Sequence, residues 1–147
     1  AGELQRVPPD NKVEVNGCMT SAGPALWSDN FTYCSAAIIH NRTTRQGLLA
    51  HIDVSKQEDE DFIKSIAQAA VNAGIAVNSG TSPGVGEVEV YLFGNEKLSK
   101  DQVAYLADFI ECVEMEDTRK PSKTGRRGAQ AVFAEIRYNP AAAAVTW

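Results

Sequence analysis

Cys34 and His51 are the residues of this chain whose types suit nucleophilic catalysis. A cysteine attacks as the thiolate, and an imidazole within hydrogen-bonding reach can take its proton near neutral pH. The segments that carry them read as the two arms of a hairpin. Residues 33–40 are apolar and end in Ile38, Ile39 and His40, residues 41–44 are polar, and residues 47–54 are largely apolar again. With 41–44 as the loop, His40 faces Arg45 and, at a constant index sum, Cys34 faces His51. Directly opposed residues share a sheet face with Cβ atoms roughly 4.5–5.5 Å apart, close enough to share a proton. A one-residue slip would send the pair to opposite faces. The plainer alternatives are an inert core thiol at Cys34 and, at His51, an imidazole satisfied by a backbone carbonyl. His40, beside the turn, reads as exposed, Cys18 as structural and Cys112 as a packing residue near a helix end.

Other chemistries find little support. Three cysteines without a CxxC pair make neither a disulfide framework nor a zinc knuckle, and two histidines without HExxH make no zinc-hydrolase site. Gly84-Val85-Gly86 lacks the third glycine of a dinucleotide loop. The formal net charge of -5 repels phosphate backbones, which disfavours nucleic acid as a partner. No apolar run is long enough for a membrane span, so no membrane insertion is expected. Residues 1–10, with Glu3, Arg6 and two prolines, do not follow a signal-peptide pattern. The one basic cluster, Arg119, Lys120, Lys123, Arg126 and Arg127, reads as a solvated loop or as a docking patch for an acidic partner.

The elements that must position the pair are short. Residues 12–15 alternate as a strand ended by Asn16-Gly17, and 20–29 read as a loop of small residues. Ser55 and Glu58 form a capping-box pattern before a helix that presents Phe62, Ile63, Ile66, Ala67, Ala70 and Val71 on one face and stops at Gly74. Residues 75–77 begin a short strand, and 87–93 alternate as a half-buried one, with Val88, Val90 and Leu92 inward. A second helix is expected from Ser99, burying Val103, Leu106, Ala107 and Ile110, after which Cys112-Val113 and Met115 lead into another strand and 131–138 form the next. Asn139-Pro140 turns the chain into a last segment. The pattern predicts one α+β domain over 1–147, with 1–11 as an N-terminal extension. Two helices flank mainly antiparallel sheet layers with a β-sandwich-like core.

In order along the chain, these residues resemble the CheD family of chemoreceptor glutamine deamidases and, more distantly, the deamidating toxins related to cytotoxic necrotizing factor. Val13-Glu14-Val15-Asn16-Gly17 with Ala22-Gly23-Pro24 is similar to the family's opening strand and loop. Residues 33–39 resemble its nucleophile strand, and Gly47-Leu48-Leu49-Ala50-His51 its G-x-x-x-H base strand. His51-Ile52-Asp53 resembles the toxin version. Val90-Tyr91-Leu92-Phe93-Gly94 and Gly125-Arg126-Arg127 resemble two later segments. The resemblance implies a CheD-like fold and hydrolysis of a protein glutamine amide to glutamate and ammonia, with no cofactor and no metal. Cys34 would be the nucleophile and His51 the base. Ser28, six residues before the cysteine where the family has threonine, would orient the imidazole, with Asp53 as the alternative orienter. The implied partner is a protein with an exposed glutamine: a chemoreceptor, or for a toxin a host GTPase or translation factor. A working thiol implies a reducing cytoplasm, the bacterium's own or that of a host cell. The chain departs from the family just before the nucleophile, where Tyr33 replaces the usual glycine.

Overall fold

The computed structural model describes residues 11–31, 33–80, 84–94, 106, 108–111, 114–117 and 135–146. Among the described residues, two sheets and the helix α1 (Glu60–Asn72) make an α+β architecture. The larger sheet has the order β1-β4-β3-β5-β6, from β1 (Cys18–Ser21), β3 (Ser35–Asn41), β4 (Gln46–Ile52), β5 (Val88–Gly94) and β6 (Glu114–Asp117). Its pairs are antiparallel except β5 with β6. The smaller sheet is antiparallel, in the order β2 (Leu26–Asp29), β7 (Glu135–Asn139) and β8 (Ala144–Thr146).

Strand β3 is buried at all seven positions because both faces of the larger sheet are covered. On one face, Ala37, Ile39, Leu48, Ala50, Val90 and Leu92 pack with Ile63, Ile66, Ala67 and Ala70 of α1 (Glu60–Asn72). On the other, Ala36, Ile38, Leu49 and Phe93 meet Leu26, Ile136 and Tyr138 of the smaller sheet. The order is therefore helix, five-stranded sheet, three-stranded sheet. Burying each such aliphatic or aromatic side chain contributes about 1.5–3 kcal/mol.

Several boundaries differ from the sequence expectations. Asp59, rather than Ser55, caps α1, accepting from the Phe62 N–H at 3.1 Å. Asp53 caps a separate 3-10 turn at Val54–Lys56. At the other end Gly74 has φ 78°, and the Ile75 N–H reaches back to the Ala70 carbonyl at 3.0 Å. That is a Schellman stop. Residues 12–15 contribute only a Lys12–Trp27 bridge, and 75–77 form no strand, whereas the expected loop at 20–29 holds the end of β1 and all of β2. Strand β5 is buried on both faces rather than half-buried, because its outer side lies under the second sheet. The expected second helix is described only at Leu106, Asp108 and Phe109, which are helical. Its start at Ser99, Cys112, residues 1–10 and 131–134 and the basic cluster lie outside the described residues.

The hairpin is present with a different register. The loop is 42–45, since Asn41 ends β3 and pairs with Gln46. Asn41 Oδ1 accepts the N–H groups of Thr43 and Thr44 at 2.9 and 3.0 Å, and Arg45 closes the turn at φ 59°. Moving the loop one residue along shifts every pair by two: His40 faces Gly47, and His51 faces Ala36 rather than Cys34. A two-residue shift preserves the face.

Candidate active site

Ser28, Cys34 and His51 converge at one end of the core between the sheets. Strand β2 alternates, turning Leu26 and Ser28 inward and leaving Trp27 and Asp29 partly exposed. Ser28 Oγ thereby lies 2.8 Å from His51 Nδ1 and 2.5 Å from the Val13 carbonyl oxygen. A carbonyl only accepts, so the single Ser28 proton goes to Val13. The hydroxyl oxygen must then accept from Nδ1–H. This fixes the neutral tautomer with its lone pair on Nε2, which is buried and has no hydrogen-bond partner. Phe31 stacks on the imidazole with centroids 4.1 Å apart. The backbone N–H and C=O of His51 are tied to Gly17 and Asn16 at 3.0 and 2.8 Å. Burial pushes the His51 pKa down, against the opposing charges of Asp29, Asp53 and Glu14. His51 is thus a neutral base held in one tautomer.

Cys34 shares the inter-sheet face with Ala36 and Ile38. Continued one pair beyond Ser35 and Ile52, the observed register sets Cys34 opposite Asp53, to whose Oδ1 the thiol donates at 3.7 Å. His51 is the diagonal neighbour, a relation that ideal sheets place about 7–8 Å apart between Cα atoms. Burial and the Asp53 carboxylate both raise the thiol pKa, while the Val54 N–H works in the other direction. The resting pair is therefore a neutral thiol and a neutral imidazole on one face. The direct Cys34–His51 contact expected from the sequence is replaced by the Cys34–Asp53 contact, because the turn begins one residue later.

Asp53 does not hold the imidazole. Its carboxylate accepts from the Ser55 hydroxyl at 2.5 Å, which leads the lowering of its pKa, and from Cys34. Cys18 lies on the helix side of the sheet and Cys34 on the opposite side, so the two thiols cannot bridge, and both are free.

His40 is buried, not exposed. Its Nδ1 lies 2.5 Å from the Tyr138 hydroxyl, in space left open by Gly47 across the strand. The only sequence signal for this second buried polar pair was the histidine itself, since Tyr138 comes from the far end of the chain. A surface cleft of about 130 Å³ lined by Thr20, Ser21, Gln46, Ala73 and Ile75 sits at the β1 edge, away from Cys34.

Among the described residues no group of three or more His, Cys, Asp or Glu is placed to hold a metal ion, and no helix is long and apolar enough to cross a membrane. The fold and this site define a two-sheet α+β domain with a Cys–His–Ser constellation. No family model matches the chain, and no curated protein matches it in sequence.

Proposed function

We propose that the chain is a cysteine hydrolase of carboxamides, a protein glutamine deamidase related to the CheD family. The observation that carries this reading is the chain Val13 C=O, Ser28 O–H, His51 Nδ1–H. It leaves an unpartnered Nε2 lone pair on the sheet face that also holds Cys34. A buried polar atom without a partner costs about 1–3 kcal/mol, a cost often retained where the atom is used.

In the proposed reaction the Cys34 thiol leaves Asp53 and gives its proton to Nε2 as sulfur attacks the amide carbon. His51 returns that proton to the leaving nitrogen, releasing ammonia and leaving a thioester. It then takes a proton from water as the oxygen attacks, and collapse yields glutamate and the free thiol. The substrate is a protein with an accessible glutamine.

A second reading has its own observation. The Cys34–Asp53 contact and the raised thiol pKa suit an inactive module that keeps the fold for binding. Incubation with a library of glutamine-containing peptides separates the two. A deamidase releases ammonia with the matching amide-to-acid mass change, and Cys34→Ala abolishes both while thermal unfolding shows an intact fold. Peptide capture without ammonia at any pH would establish the binding module instead.

A further inference from the structure

Among the described residues three large apolar side chains are exposed: Val15 at 49%, Tyr33 at 61% and Val54 at 58%. Each is the covalent neighbour of a residue built into the site. Tyr33 precedes Cys34. Val54 follows Asp53, the acceptor of the Cys34 thiol. Val15 precedes Asn16, whose N–H donates to the His51 carbonyl and whose Oδ1 accepts from the Asp53 N–H at 3.0 Å. Single exposed apolar residues scattered over a surface mean little, but each of these adjoins in the chain a residue tied to the thiol or the imidazole.

The charges at the same rim have one dominant sign. Glu14, Asp29 and Asp53 all act on the His51 ring with negative potential, opposed by Lys12. Lys12 is already paired with Asp29 at 3.1 Å. Glu14 and Asp53 have no ion-pair partner among the described residues. Such a rim repels acidic segments and nucleic acid, and a chain of net charge -5 is a poor partner for its own copies there.

We propose that Val15, Tyr33 and Val54, with Glu14 and Asp53, form a docking rim for an extended polypeptide segment bearing apolar and basic side chains beside its glutamine. The choice of glutamine rests on the deamidase reading above. The apolar residues supply contact area, and the carboxylates select for lysine or arginine and against acidic neighbours.

Three synthetic peptides test this, each with one glutamine flanked by leucine and lysine, by leucine and glutamate, or by serine and lysine. Binding is read by fluorescence anisotropy on the 147-residue chain carrying Cys34→Ala, and turnover by ammonia release from the unaltered chain. The leucine–lysine peptide is expected to bind and react about tenfold better than either other, a difference of ~1.4 kcal/mol. Tyr33→Ser and Val54→Ser should each weaken it several-fold without lowering the unfolding temperature, and Glu14→Lys should move the preference toward the glutamate peptide. Equal binding of all three, or an unchanged preference in Glu14→Lys, overturns the proposal. Selective binding without ammonia leaves the rim standing and removes the deamidase reading. Equal ammonia from all three does the reverse.

Discussion

At the residue scale, the thiol is quiet where it was expected to be activated, and Asp53 is the cause. Its charge and its acceptance of the thiol proton both favour S–H over the thiolate. Asp53→Asn removes the charge and still offers a side-chain oxygen to cap the following turn. The Cys34 thiol pKa should therefore fall, and alkylation by iodoacetamide at pH 8 should quicken several-fold. Peptide-mapping mass spectrometry of Cys34 against Cys18 provides the readout, and an unchanged rate would show that Asp53 does not hold the thiol proton. Ser28 tests the other half of the site. Ser28→Ala strands the Val13 carbonyl and the Nδ1–H, both buried, so a loss of about 1–3 kcal/mol in stability is expected. Ammonia release should fall by roughly 10²-fold, because the imidazole loses its fixed tautomer. Ser28→Thr should restore both, as a merely space-filling role would not require. A serine six residues before a cysteine was legible in the sequence as an orienter only through the family resemblance. The residues alone gave a turn, because the short β2 alternation does not stand out.

At the element scale, the hairpin shows how much of the site the sequence carried. The strands, their shared face and their antiparallel pairing followed from two apolar runs around a polar centre. The register did not, because Asn41 can start a turn or end a strand. Here it ends β3, with its side chain holding the turn from below. Face was thus legible where opposition was not. The smaller sheet was harder to see, since β2 and β7 pair across more than a hundred residues and no local pattern announces the match. Gly47 is a position where the two sheets approach closely. A Cβ built there falls 1.7 Å from the Tyr138 hydroxyl oxygen and 2.5 Å from its ring. Gly47→Ala must push Tyr138 out of the core and break its contact with His40, an overpacking cost of about 1–3 kcal/mol. Thermal unfolding should register this as a fall of several degrees. Ala50→Gly, on the helix side of the same strand, is the control: the Tyr138–His40 contact and the near-ultraviolet tyrosine signal should survive it.

At the scale of the whole molecule, both histidines lie in the polar ends of one inter-sheet core, and burial is the first cause lowering the pKa of each. In the unfolded chain they titrate near the ordinary 6.5, whereas in the fold they take up protons only at lower pH. Between those two values the unfolded state binds more protons, so stability rises with pH through that window and is fully present above it. Acidification from pH 7.5 should therefore lower the unfolding free energy once the pH passes below about 6.5, by up to ~1.4 kcal/mol per pH unit for each imidazole that stays neutral. Asp53, whose pKa is lowered, adds its own loss only near and below the ordinary carboxylate range. Cys34, whose pKa is raised, costs stability only on the alkaline side of the ordinary 9.0. The histidine window is thus free of both. Urea unfolding at pH 7.5, 6.5 and 5.5 measures the slope, and His51→Gln should remove about half of it while leaving the His40 contribution in place. A flat profile across those three values would mean that both imidazoles accept protons inside the fold, and His51 would then lose the neutral Nε2 on which its role as a base depends.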